Sequence, residues 1–537
     1  MSSQQLQVQP ALTPQECGEI DRFCQSGAGA VPLPALAQFL KDRLATDLVL
    51  DQDIIGGFAK DSSNLPGQAG GLCRPKSERE CAAILRACSR AGIPCTISAG
   101  RSNLTGSATP EGGVVISTVQ MMTPEVRVDM DSKTVRAPVG IILEDLRREV
   151  LKQSGGTLIF PVDPTSRADA TVGGALACNA SGFTPGEIGA IRHWVKSIDF
   201  LLPDGFKITA RRGELVSRDG RFLLQRDGRE ITWPVPRYSR PPIKNAGGPF
   251  SAPSGELDFV DLVVGSEGLF GLVTACTLQL AERPSDYLDL FFSLPAEENA
   301  IVFLDYLRSN LKGGLGSLSA LEYFGVNCRR FMTHEQRLFR GNNQVGVYIQ
   351  VPLTGQTADD AAAEWFERLV ASACGLDEDA VMILDNDRDR AMFMEARHSM
   401  PANAVEVVQH HGTYTIMTDT VVPPDRFREF LAFTHNIIRA EKLDYLSFGH
   451  LGDCHLHFTI LPEQAQLKRA TEIYDAIVAE SARLGGVYSG EHGTGKRKRR
   501  DFLQCYGPDA VEQVRQCKGA VDPDFILNRG NVVPARA

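Results

Sequence analysis

Residues Gly449 to Phe458 read G-H-L-G-D-C-H-L-H-F, and few local sequences leave a chain less freedom. L-S-F-G-H arrives as a strand, Gly452-Asp453 turns the chain, and C-H-L-H-F-T-I leaves as a second strand. Alternation along the second strand puts His455 and His457 on one face, and the turn brings His450 back beside them. The chain has only ten histidines, so three within this stretch form a concentration that needs a cause. Further on, Ser489 to Gly495 reads S-G-E-H-G-T-G and adds Glu491 and His492. Imidazoles grouped with a carboxylate compose a metal site or a proton-transfer site. Polar residues satisfied at a strand edge are the plainer alternative.

With 537 residues the chain is too long for one hydrophobic core, so two or three domains are expected. Its 43 % hydrophobic and 23 % charged residues fit a soluble globular protein. A net charge of -10 argues against nucleic acid as the main partner, because phosphate binding needs a basic surface. One basic run exists, Lys496 to Arg500, and its expected place is the solvated side of a helix or a contact with an anionic ligand. The N-terminus lacks the basic and apolar regions of a secretory signal, and no apolar run approaches the roughly 20 residues of a membrane span. Thirteen scattered cysteines without a C-x-x-C pair suggest reduced thiols in the cytoplasm, with no iron–sulfur or zinc-ribbon site.

Residues 1 to about 50 read as one or two helices. A βαβ-like unit follows, in which Ser77 caps a helix with Glu80 placed for a capping box and Gly92 stops it. Apolar residues at 81, 84, 85 and 88 give that helix one buried face. After the strand I-P-C-T-I-S comes S-A-G-R-S-N-L-T-G, Ser98 to Gly106. A loop this rich in Gly and Ser exposes backbone N–H groups and hydroxyls that suit a pyrophosphate. It is not G-x-G-x-x-G and no helix opens on it, which excludes the Rossmann and P-loop motifs and leaves an ordinary turn as the alternative. Past Asp163, Thr171 precedes Gly173 and Gly174, where backbone can approach a flat ligand or a neighbouring sheet closely. A hairpin turn is expected at Asp204-Gly205, an extended hairpin and long loop over 211–255, and glycines 265, 268 and 271 surround Glu267.

These segments carry a resemblance. S-A-G-R-S-N-L-T-G, T-V-G-G-A-L-A-C-N-A-S-G, K-N-A-G-G and V-G-S-E-G-L-F-G-L-V-T occur in an order that resembles the FAD-binding domain of the vanillyl-alcohol oxidase/p-cresol methylhydroxylase flavoproteins. G-H-L-G-D-C-H-L-H-F, S-G-E-H-G-T-G and V-D-P-D-F-I-L-N-R-G resemble that family's 2-hydroxy-acid dehydrogenase branch, which acts on D-lactate, D-2-hydroxyglutarate or glycolate. The resemblance implies an α+β chain: a helical extension over 1–50, a two-subdomain FAD-binding domain over 51–283, an antiparallel-sheet cap domain over 284–505, and a segment over 506–537 returning to the FAD domain. Strands and amphipathic helices alternate after Pro284, and an open sheet with helices on one face is expected there.

Carried over residue by residue, the resemblance assigns the FAD pyrophosphate to Ser98, Ala99, Gly100, Arg101, Ser102, Asn103, Leu104, Thr105 and Gly106. Asp163, Thr171, Gly173, Gly174, Asn179 and Ser181 would line the flavin, with Glu267, Gly268, Gly271, Leu272 and Val273 closing from the other side. Arg101 occupies the place where some relatives attach flavin through a histidine, so a dissociable FAD is expected. His450, His457 and Glu491 would bind a divalent metal, usually zinc. His492 would be the catalytic base, and Arg397 would grip the substrate carboxylate with a planar fork. A salt-bridged surface arginine is the alternative for Arg397. Two departures stand out: Met417 replaces a lysine that helps bind the acid, and His455 replaces an asparagine, as a fourth ligand or a substrate contact.

The implied reaction is oxidation of a small, lactate-like D-2-hydroxy acid to the 2-oxo acid, with hydride passing to flavin N5. The acceptor would be a quinone, cytochrome, electron-transfer flavoprotein or partner subunit. A redox-neutral transferase of the alkyl-dihydroxyacetone-phosphate synthase type, or a flavin subunit of a larger complex, are the rival functions. A cytoplasmic protein is expected, with peripheral membrane association and a homodimer both compatible with the family.

Overall fold

The computed structural model describes residues 3–25, 31–226 and 229–534. Near the N-terminal end, Gly71–Cys73, Val114–Ser117 and Cys95–Ser98 form a parallel three-stranded sheet with Val114–Ser117 in the middle. Helix Glu78–Ala91 joins two of these strands. Ser77 Oγ accepts from Glu80 N–H at 3.3 Å, while the Glu80 carboxylate reaches Lys76 N–H at 3.0 Å, one residue before the cap. Gly92 ends the helix at φ +64, a conformation glycine adopts without strain. Cys81, Ile84, Leu85 and Cys88 are buried as the periodicity requires.

A six-stranded antiparallel sheet lies next to it, ordered Gln9–Pro10, Phe206–Arg211, Val195–Leu201, Leu272–Gln279, Thr134–Pro138 and Arg127–Asp129. The Asp204-Gly205 turn joins Val195–Leu201 to Phe206–Arg211, with Gly205 at φ +84. Arg221–Arg226 pairs with Arg229–Pro234 as the expected hairpin, whose tip at 227–228 lies outside the described residues.

The first 50 residues depart from an all-helical expectation. Helices Pro14–Gln25 and Leu33–Leu44 are present, but Gln5–Gln7 and Gln9–Pro10 are strands added to two existing sheets. Q-L-Q alternates polar and apolar, and only Leu6 is buried, which is the period of an edge strand.

From Asp286 the chain builds a seven-stranded antiparallel sheet, ordered Val381–Ile383, Asp286–Leu294, Val345–Leu353, Ala320–Phe324, Tyr445–His450, His455–Ile460 and Ile416–Met417. Helices cover both faces, where one was expected. Leu288, Leu290 and Phe292 pack with helices Glu297–Asn310, Ala358–Ala371, Phe427–Ala440 and Leu467–Arg483. On the other face Phe291, Phe324 and Tyr348 pack against helix Asp387–His410 through Met392, Phe393 and Met400. The run L-D-L-F-F-S-L buries apolar groups on both sides, so a single layer of helices would leave one side wet.

The chain closes by returning to the first sheets. After helix Arg499–Val521, Cys95 N–H donates to Ile526 C=O, and Asn528 Oδ1 accepts from Ile97 N–H at 2.8 Å. No helix among the described residues is long and apolar enough to cross a membrane.

Candidate active site

Two adjoining cavities run from the small sheets to the seven-stranded sheet. The first, about 800 Å³, is lined by Ala99, Gly100, Arg101, Ser102 and Asn103 on one side. Thr171, Gly173 and Gly174 continue its wall, and Glu267, Gly268, Gly271, Leu272 and Val273 close it opposite. The backbone N–H groups of residues 100–104 make no hydrogen bond to an acceptor among the described residues, a run of donors suited to an anion. The next three N–H groups are already committed: Thr105, Gly106 and Ser107 all donate to Asn103 Oδ1 at 3.0–3.2 Å. The loop therefore splits into a donor-rich first half and a second half that braces it.

The two adjacent glycines divide their work. A Cβ on Gly173 would lie 2.8 Å from Val139 Cβ, so this glycine permits helix-to-sheet packing. At Gly174 the nearest atom would be Ala99 Cβ at 3.2 Å, and this glycine lines both cavities. Arg101, at φ +60, turns its side chain away to the Gly57 carbonyl and the Phe58 ring, leaving only its backbone at the cavity.

Ser98, Thr105, Gly106 and Asn179 stand behind the lining. Ser98 ends its strand. The Thr105 carbonyl accepts from Lys496 and Arg497 N–H, and Gly106 N–H is braced by Asn103. Asn179 caps a helix and takes Arg192 N–H on Oδ1 at 3.1 Å.

The second cavity, about 1160 Å³, shares Ser102, Asn103, Ala170, Gly174 and Cys178 with the first. Leu104, Asp163, Ser181 and Phe183 continue it, and His450, Glu491 and His492 form its far end. Burial pushes the Asp163 carboxyl up, against the pull of Arg147 and the Phe183 N–H.

Three imidazoles meet there with one nitrogen each tied to a protein acceptor. His450 Nδ1 lies 2.7 Å from Glu322 Oε1, His457 Nδ1 lies 3.1 Å from the Thr418 carbonyl, and His455 Nε2 lies 2.9 Å from Asp419 Oδ1. An acceptor on one nitrogen fixes the tautomer and leaves a lone pair on the other, which is how metal-binding histidines are held. His450 Nε2 and His457 Nε2 both face the Glu491 carboxylate, at 3.2 and 3.3 Å. Ligand atoms of His450, His455, His457 and Glu491 all lie within 4.8 Å of one another, and Asp419, His457, Glu491 and His492 form an overlapping group. The donor set, imidazole and carboxylate with tautomers locked, fits a divalent cation.

Without a cation, the charges of the cluster are set against one another. Burial opposes charge on His450, and Lys244 repels it. Even so, the Glu322 and Glu491 carboxylates draw a positive charge in and leave the imidazole up at about 9. Burial disfavours the Glu491 carboxylate too, but Lys244, His450 and His457 hold it ionised well below the usual range. Lys244, Arg397 and the proton on His450 thus balance the Glu491 and Glu322 carboxylates, and a metal at His450 Nε2 would displace that proton.

His492 stacks on His457 at 5.4 Å between ring centroids, with Nδ1 3.5 Å from Asp419 Oδ2 and Nε2 3.5 Å from Glu491 Oε1. Arg397 stands one layer back: its guanidinium packs 4.3 Å from the Phe183 ring centre, and Nη2 donates to Glu322 Oε2 at 2.9 Å. Arg397 Nε is buried without a hydrogen-bond partner among the described residues. Arg397 is thus a buried arginine, not a surface one.

Four residues that hold this site escaped the sequence reading as site members. Glu322 lies in S-A-L-E-Y-F, and a carboxylate inside an apolar strand was the available signal. Lys244 sits in K-N-A-G-G and pairs with Glu491 Oε2 at 3.0 Å and Asp453 Oδ2 at 3.6 Å. Asp419 accepts from Ser489 Oγ (2.6 Å), His492 N–H (3.0 Å) and Glu491 N–H (3.3 Å), so it fixes the loop bearing both residues. Lys498 belongs to the basic run expected in solvent or on an anionic ligand. It is instead buried on Asp419 Oδ2 at 2.8 Å, because the ionised Asp419 needs a countercharge.

Fold and site together define an FAD-linked oxidoreductase. Residues 69–210 match the family described as FAD binding domain, and residues 320–532 match the one described as FAD linked oxidases, C-terminal domain. A D-lactate dehydrogenase of Anaerostipes hadrus is 24 % identical over 93 % of this chain and 97 % of its own. A D-lactate dehydrogenase of Archaeoglobus fulgidus is 26 % identical over 86 % and 91 %, and the mitochondrial D-2-hydroxyglutarate dehydrogenase of Rattus norvegicus is 25 % identical over 87 % and 78 %. Among solved structures, p-cresol methylhydroxylase with bound substrate superposes with a TM-score of 0.67 at 13 % identity, covering 98 % of this chain and 99 % of that one. The chain is an FAD-linked oxidoreductase of D-lactate and D-2-hydroxyglutarate dehydrogenase type, with the fold of p-cresol methylhydroxylase.

Proposed function

We propose that this protein oxidises a lactate-like D-2-hydroxy acid to its 2-oxo acid with metal-assisted deprotonation. The observation that carries this reading is the tautomer-locked imidazole and carboxylate cluster at the end of a cavity continuous with the flavin cavity. The loop 98–106 and the turn at Glu267 would hold FAD non-covalently, and FAD would supply the hydride acceptor at N5. His450, His457 and Glu491 would hold a divalent cation, which would supply Lewis acidity to lower the pKa of the substrate hydroxyl.

The remaining work falls to side chains. Arg397, whose Nη2 is held by Glu322, takes the substrate carboxylate. His492 accepts the hydroxyl proton, and an imidazole is the side chain that changes charge near neutral pH. Asp419 orients it by fixing its backbone N–H at 3.0 Å. Phe183 lines this cavity and carries Arg397 on its ring. Met417, two residues before Asp419, adds no cation for a second carboxylate, which favours a monocarboxylic acid over 2-hydroxyglutarate. The final electron acceptor would be a quinone, cytochrome, electron-transfer flavoprotein or partner subunit.

Anaerobic bleaching of the bound flavin across D- and L-2-hydroxy acids tests the proposal, with metal analysis of the same sample. Bleaching by short D-2-hydroxy acids, weak with D-2-hydroxyglutarate, is expected. A flavin that no 2-hydroxy acid reduces would point to redox-neutral transfer of the alkyl-dihydroxyacetone-phosphate synthase type, or, if metal is also lacking, to a flavin subunit of a larger complex.

A further inference from the structure

His455 is the residue of the cluster with no role so far. It is completely buried, directly opposite His450 in the register of the hairpin, with its ring centre 5.4 Å from His450 and 4.6 Å from His457. Gly490 packs on it so closely that a Cβ there would lie 2.8 Å from His455 Cε1, so the ring has little room to turn.

Its Nε2 hydrogen-bonds to Asp419 Oδ1 at 2.9 Å. The same carboxylate takes Lys498 Nζ at 2.8 Å, Ser489 Oγ at 2.6 Å and the His492 N–H at 3.0 Å, so Asp419 acts as an acceptor throughout. The proton of His455 therefore sits on Nε2, and Nδ1 presents a lone pair. That Nδ1 is buried and has no hydrogen-bond partner. An imidazole oriented by a carboxylate through Nε2, with Nδ1 unpartnered among the described residues and a ring nitrogen within 4.8 Å of ligand atoms of His450, His457 and Glu491, is prepared for a cation.

We propose that His455 is a fourth protein ligand, through Nδ1, of the metal held by His450, His457 and Glu491. This rests on the metal site of the proposed function and changes its character. Zinc would fill a tetrahedral set with protein ligands alone, whereas ions that take five or six ligands, such as Mn²⁺, Fe²⁺ or Co²⁺, keep positions for a substrate hydroxyl and carboxylate. The site is thereby tuned toward expandable ions.

The test compares wild type with H455N, both carrying FAD, by chelator-competition titration with Co²⁺ and by X-ray absorption counting of imidazole ligands. Three imidazoles in wild type, two in H455N and an affinity lower by at least about tenfold are expected, given that even outer partners of a ligand cost 10–100-fold. Two imidazoles in both proteins with equal affinity would overturn the role of His455 and leave the metal site standing. A wild type that binds no Co²⁺ would remove the underlying site and this inference with it. Should H455N fail to retain FAD or fold, the imidazole count of wild type alone decides.

Discussion

Glu322 and His450 face each other in register on neighbouring strands, and Glu322 Oε1 holds His450 Nδ1 at 2.7 Å. The second oxygen of Glu322 takes Arg397 Nη2 at 2.9 Å, so one buried carboxylate aligns both the metal end and the substrate end of the site. Burial disfavours that charge, but His450 and Arg397 hold it ionised, down to about 2.

Glu322→Gln preserves the shape and removes one acceptor, so the amide serves His450 or Arg397 but not both. Metal affinity is expected to fall about 10–100-fold, the usual cost of losing a carboxylate behind a ligating histidine. KM for the acid rises at the same time. Chelator competition and steady-state kinetics read these separately, and unchanged values in both would show that Glu322 aligns neither residue.

His492→Ala removes the proposed base without touching the flavin wall, since His492 lines only the second cavity. The expected loss in kcat is about 10²–10⁴-fold, the range of a general base, with the flavin-to-protein ratio unchanged. Anaerobic stopped-flow reduction of the flavin measures it, and wild-type reduction rates would exclude His492 as the base.

How much of this was legible in the sequence follows from the range of each interaction. Ser77, Gly92 and the 204–205 turn act on their immediate neighbours, so a single sequence exposes them. The histidine hairpin is legible for the same reason, because period and turn place His450, His455 and His457 together within a few residues. Glu322 reaches His450 across 128 positions and Lys244 reaches Glu491 across 247, and no local pattern encodes such a meeting. Lys498 misleads for a further reason: a run of cations looks solvated until one of them is required by a buried carboxylate 79 positions away.

Lys498→Met tests that requirement. Asp419 keeps His455, Ser489 and two backbone N–H donors but loses its full countercharge, and breaking a buried pair typically costs about 3–5 kcal/mol. Urea unfolding of the variant is expected to show a loss of about 3 kcal/mol, with the 489–492 loop the first part to gain hydrogen exchange. A loss below about 1 kcal/mol would mean that the neutral donors and His455 hold the charge alone.

Glu267 gives a prediction in pH. Its carboxylate accepts from Thr494 N–H at 2.7 Å and Gly495 N–H at 2.8 Å, clasping the end of the Glu491–His492 loop to the flavin wall. Burial outweighs these donors and pushes the carboxyl up to about 6, against about 4.3 for an exposed glutamate. The folded state thus holds the proton more tightly than the unfolded chain. Its contribution is fully present below about pH 4.3 and is lost as pH rises through 6, an interval of about 2 kcal/mol at 1.36 kcal/mol per pKa unit. In flavin-free protein, Glu267→Gln cannot titrate, so the unfolding free energy of wild type minus variant should fall by about that amount between pH 4.5 and 7. A constant difference would show that Glu267 titrates normally. A rising one would show that the Thr494 and Gly495 N–H groups overcome burial and keep Glu267 ionised.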